Sequence, residues 1–121
     1  MSIQLQIEEM PDYLKAKFTG AGIPEEVWRQ FEAIAEYCKR ANKNKLLLDF
    51  TDARGDISLT DRYFAGVSAQ VFAHYKVIKV AGVDRPEKLD PKMFGELVAR
   101  NRGVNVRGFT NVEDAEQWLL E

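Results

Sequence analysis

The chain has 121 residues, 45% of them apolar, with 17 basic against 19 acidic side chains and a net charge of −2. That length and balance fit one ordinary globular domain over residues 1–121, large enough to close a core without metal or disulfide staples. The missing basic excess argues against a general nucleic-acid or membrane-surface binder, and the lone cysteine, Cys38, cannot form an internal disulfide.

Ile3, Leu5 and Ile7 alternate with polar residues, the period of a half-buried strand. Pro11-Asp12 breaks it, and Leu14, Ala16 and Phe18 resume the alternation. The pair reads as a hairpin. Pro24 suits the first turn of a helix, with Glu25 and Glu26 at its positive end. Val27, Phe31, Ile34, Ala35 and Cys38 carry that first helix to about Asn42 at helical spacing.

The third strand follows Lys45 as Leu46, Leu47, Leu48 and Phe50. Its lack of alternation predicts burial on both faces. A polar loop from Thr51 to Thr60 leads into a second helix over Thr60 to Tyr75, with Phe64, Val67, Ser68, Val71 and Tyr75 in one stripe. Val77 to Val83 is the fourth strand. Asp90-Pro91 predicts the start of a third helix, and Asn101-Arg102-Gly103 its glycine stop. Val104, Val106 and Phe109 mark the fifth strand. Thr110 and Glu113 have capping-box spacing at the start of the last helix. The order is ββαβαβαβα: an α/β fold with a mixed, mostly parallel five-stranded sheet and four helices.

The segment Lys45 to Phe64 holds the candidate functional edge, because open α/β sheets place ligand and regulatory sites where a strand feeds a helix. Asp49, Asp52, Asp56 and Asp61 crowd it. Magnesium favours carboxylate oxygens, but such residues more commonly build turns and caps, and Arg54 offsets their charge. Asp52, Arg54 and Asp56 read as a polar loop rim near Asp84-Arg85. A phospho-accepting receiver domain would need a lysine near the end of the last strand, where only Arg107 stands. His74, the only histidine, falls near the end of the second helix and suits its dipole. Cys38 shares an apolar stripe and reads as buried and inert. Gly20-Ala21-Gly22 lacks the rest of a nucleotide fingerprint. Trp118 reads as core, and Trp28 as partly exposed at an interface. No catalytic set, metal site or cofactor is expected.

The N-terminus MSIQLQIEEM shows no signal peptide, and the apolar runs are too short to cross a bilayer. A cytoplasmic protein is expected, with no nucleic-acid partner and no stable membrane insertion. Its expected partner is a protein, a second copy in a homodimer included.

Leu48-Asp49-Phe50-Thr51, the tail Arg102 to Thr110, and Ala115-Glu116-Gln117-Trp118-Leu119 resemble the STAS domain, and within it the SpoIIAA-like group of small bacterial proteins. The resemblance implies a non-catalytic regulatory or protein-interaction module. It also implies a phosphorylatable serine at the start of the second helix, where Ser58 falls. The family's serine is closely followed by glycine, whereas Leu59, Thr60 and Asp61 follow Ser58. Ser58, or Thr60, therefore reads first as an N-cap and second as a regulatory residue. The group is also likened to CRAL-TRIO-type lipid carriers, which implies an alternative: an apolar ligand held beside the second helix by Phe64, Phe72 and Tyr75.

Overall fold

The computed structural model describes residues 2–121. One five-stranded sheet runs in the order β1-β2-β3-β4-β5, with β1 at Gln4–Glu9, β2 at Leu14–Ala21, β3 at Lys45–Arg54, β4 at Lys79–Val83 and β5 at Val106–Phe109. β1 pairs antiparallel with β2, and the other neighbours are parallel. The expected strand order and mixed, mostly parallel sheet are what the molecule contains.

The two faces separate along β3. Leu46 and Leu48 turn toward Phe31, Ile34 and Cys38 of α2 (Phe31–Arg40) and Phe72 of α4 (Gln70–His74). Leu47 turns the other way, joining Tyr13, Ala81 and Val83 under Ala115 and Leu119 of α6 (Val112–Leu120). Burial on both faces explains why this strand reads as a continuous apolar run.

β3 does not stop near Phe50 as expected. Lys17 pairs with Asp49, yet Thr19 pairs with Asp52, so β3 carries one extra residue. This bulge turns Ala53 into the larger core and carries the strand to Arg54. The buried Asp49 carboxylate accepts bonds from the Thr51 N–H at 3.0 Å and the Thr51 hydroxyl at 2.6 Å, which satisfies the irregular backbone there.

Two of the four helical segments break. The first divides into α1 (Glu25–Trp28) and α2, with the Gln30 N–H bonded to the Val27 carbonyl one residue short of helical spacing. The second divides at Ala69 into α3 (Leu59–Ser68) and α4, and its buried residues are Gly66, Ala69 and Phe72. The expected stripe through Phe64, Val67, Val71 and Tyr75 is not the buried one. Small residues bring this helix close to its neighbours. A side chain on Gly66 would stand 2.7 Å from the Gly95 carbonyl of α5 (Phe94–Arg100).

The third helix opens at Phe94, not Pro91, because Asp90 instead caps a turn, accepting from the Phe94 N–H at 2.9 Å. A 3-10 turn at Pro86–Lys88 precedes it. The last helix is capped by Asn111, one residue beyond Thr110, through a 2.8 Å bond from the Asp114 N–H. Three helices end alike, with Asn42, Lys76 and Gly103 at positive φ and the next N–H reaching back five residues. Gly103 is the one expected from sequence.

Candidate functional site

The carboxyl ends of β3 and β4 meet the start of α3. Asp52 is exposed and pairs with Lys17 at 3.0 Å, and that bond holds its carboxyl below the usual range. Arg54 and Asp56 are exposed. Lys88 donates to the Ala53 carbonyl at 2.7 Å, and Arg62 of α3 donates to the Lys88 carbonyl at 2.7 Å. These two bonds tie the strand end, the 3-10 turn and α3 together. Beside them, burial raises the Asp84 carboxyl, which accepts from the Arg85 N–H at 2.8 Å.

Ser58 caps α3. Its hydroxyl accepts from the Asp61 N–H at 3.1 Å, and its own N–H donates to the Asp61 carboxylate at 2.9 Å. The pair is a capping box. Thr60 stands exposed in the first turn and does not cap.

A cavity of about 200 Å³ lies between α3 and the sheet. Its floor includes Leu48, Phe50, Gly82 and Val106, and its walls include Trp28, Phe31, Ala69 and Phe72. The floor is low because β4 places a glycine there. A side chain on Gly82 would meet nothing nearer than the Phe50 ring at 3.8 Å. Four polar side chains edge the cavity, Arg62, Lys88, Asp84 and Glu96, whereas the Arg107 guanidinium lies over the Phe109 ring on the other face of the sheet. Burial also raises the Glu96 carboxyl. Among the described residues, these four close no ion pair with one another within 4 Å.

The three residues expected to hold an apolar ligand separate. Phe72 is fully buried and lines the cavity. Phe64 is 47% exposed on the outer side of α3, against Tyr63 and Trp28. Tyr75 lies past the end of α4, near Glu36, at 3.4 Å. The outer side carries further apolar surface: Leu59 is 64% exposed, and Met93 and Leu97 are exposed on the neighbouring α5 segment. Arg102 lies over the Tyr63 ring at 5.7 Å.

The remaining candidates are dispersed. His74 is exposed in the last turn of α4. Cys38 is fully buried, and burial pushes its thiol up to about 11. Trp118 is half-buried against Phe109, beneath the Lys79 ammonium. Among the described residues, no three His, Cys, Asp or Glu side chains gather to hold a metal ion. No helix among them is long and apolar enough to cross a membrane.

Of the residues expected beside an apolar ligand, Phe72 lines this cavity, while Arg62, Lys88 and Glu96 at its edge were not expected. The signal for its open floor was Gly82 inside a strand, since interior strand glycines mark close approach or missing side-chain volume.

No family model matches the chain, and no curated protein is significantly similar to it. The solved structures similar to it over nearly its whole length include the following two. An anti-sigma factor antagonist from Mycobacterium paratuberculosis aligns with a TM-score of 0.61 at 13% identity, covering 99% of this chain and 96% of that one. An uncharacterised DUF3478-family protein with a SpoIIAA-like fold, from Shewanella loihica PV-4, aligns with a TM-score of 0.58 at 20% identity, covering 98% and 94%. The chain therefore has a SpoIIAA-like, STAS-type fold.

Proposed function

We propose that this is a non-catalytic regulatory domain that docks a protein partner on the outer side of α3 and α5. The observation that carries the reading is the exposed apolar surface formed by Leu59, Tyr63, Phe64, Met93 and Leu97. Exposed apolar patches with polar borders commonly mark protein interaction sites. The fold likeness to an anti-sigma factor antagonist adds support, because such a protein acts on another protein. In this reading Ser58 is a structural cap. A phosphate there would break the capping box and face the Asp61 carboxylate.

Affinity capture from the source cell tests the reading. A partner retained by the wild-type protein should be lost with Phe64→Glu and kept with Glu113→Ala on the opposite helix. Retention by both variants would count against this surface.

A second reading, binding of a small apolar ligand, is favoured by the cavity under α3. Native mass spectrometry of freshly purified protein tests it. A bound small molecule, displaced when Gly82→Val fills the floor, is the expected result.

A further inference from the structure

We infer that the cavity under α3 takes an uncharged molecule of single-ring size, held over Gly82 by apolar contacts alone. This narrows the ligand-binding reading, on which it rests, to one chemical class.

Size sets the first limit. An apolar cavity of roughly 150 Å³ admits benzene, and drug-sized ligands take pockets of roughly 300 Å³ upward. The volume here, about 200 Å³, lies between the two. One substituted ring fits, and a long acyl chain overruns it.

The walls set the shape. Leu48 and Gly82 pair in register on β3 and β4, and both lie in the floor beside Phe50. A side chain on Gly82 would meet nothing nearer than the Phe50 ring at 3.8 Å, so the floor is open there. The Phe50 ring is stacked on the fully buried Phe18 ring at 5.3 Å, which fixes its plane. Opposite, the Phe31 and Phe72 rings meet at 5.1 Å with a tilt of 43°. Rings held at such offset and tilted angles offer faces and edges that another ring can extend.

The polar edge sets the charge. Arg62 donates to the Lys88 carbonyl and Lys88 to the Ala53 carbonyl, each at 2.7 Å, so both cations fasten the chain. Asp84 accepts from the Arg85 N–H at 2.8 Å. The Glu96 carboxylate lies against Gly108, where a side chain would stand 3.4 Å from it. Cations and carboxyls are thus matched in number at the edge. A ligand carboxylate would leave water to sit beside Asp84 and Glu96, and a ligand ammonium to sit beside Arg62 and Lys88. Neither gains a free partner for the water it loses, whereas an uncharged ring has no such cost.

The test is a titration of the full chain followed by NMR, with toluene, benzoate, benzylammonium and 1-decanol as probes. Toluene should shift the Gly82 and Ala69 amides saturably and give nuclear Overhauser contacts to the Leu48 methyl groups. Those contacts are read in the wild-type protein and need no variant. The other three probes should each bind at least tenfold more weakly at the same amides. Gly82→Val should abolish toluene binding, and Leu97→Gln, on the exposed side of α5, should leave it unchanged. Binding of benzoate, benzylammonium or 1-decanol within tenfold of toluene at those amides, or tighter, would overturn the inference and leave the ligand-binding reading standing. No shift of the cavity amides with any of the four would overturn both.

Discussion

Gly82 of β4 and Gly108 of β5 lie side by side in register, but only Gly82 lines the cavity beneath α3, since a side chain on Gly108 would stand 3.4 Å from the Glu96 carboxylate. Gly82 keeps an ordinary strand backbone. Gly82→Ala should therefore be tolerated and should stabilise the fold by roughly 0.4–1 kcal/mol, because alanine narrows the unfolded ensemble. Chemical denaturation measures this, and a clear loss of stability would mean the space is not open.

Gly66 behaves oppositely. Alanine in a helix is normally favoured over glycine by about 1 kcal/mol. Here its methyl would stand 2.7 Å from both the Gly95 carbonyl and the Val98 side chain. Backbone cannot yield cheaply, so Gly66→Ala should cost roughly 1–3 kcal/mol. Its denaturation midpoint should fall while that of Gly82→Ala does not.

Ser58→Ala removes the hydroxyl half of the capping box. Loss of such a cap costs roughly 0.5–2 kcal/mol. Partner binding should survive once the protein is folded. A kinase-dependent mass shift mapped to Ser58 would overturn its assignment as a cap.

Glu96 should make stability depend on pH. Burial raises its carboxyl, Arg100 and Arg62 partly oppose that, and Asp90 adds to it. The folded state thus holds a proton that the unfolded state has already released. Stability therefore falls as pH rises from the ordinary carboxylate range through the raised folded value, and the penalty is complete above it. Glu96→Gln carries no such charge. Its advantage over wild type should be greatest at about pH 7 and should shrink toward about pH 4. Urea titrations at the two values check this, and an advantage that grows on acidification would contradict it.

Much of the fold was legible because period and apolar runs report burial directly. Ile3, Leu5 and Ile7 alternate because β1 buries one face, and Leu46 to Leu48 run together because β3 buries two. The helix breaks were not legible. Phe64 and Val67 fall at helical spacing with Val71, yet the helix is held by Gly66, Ala69 and Phe72, whose small members let it approach the sheet and α5. Periodicity counts large side chains and overlooks small ones. The bulge in β3 escaped notice for a related reason: Asp49 and Thr51 bond to each other within the strand, and that pairing resembles a turn. A ligand site beside the second helix was expected at Phe72, but the cavity's depth was hidden because Gly82 in its floor lacks a side chain. The functional edge was visible only as a location, since the Arg62 and Lys88 bonds that organise it join distant parts of the chain.

A protein partner docked on the outer side of α3 and α5 would come within cross-linking reach of Leu59 and Leu97. Photo-crosslinking in the source cell tests this docking most directly, with benzoylphenylalanine placed at Leu59 or Leu97 and, as the comparison, at Glu113 on α6. One discrete cross-linked protein is expected from the first two positions, lost when Phe64→Glu is added, and none from Glu113. Cross-linking from Glu113 alone, or a product at Leu59 that persists with Phe64→Glu, would contradict it.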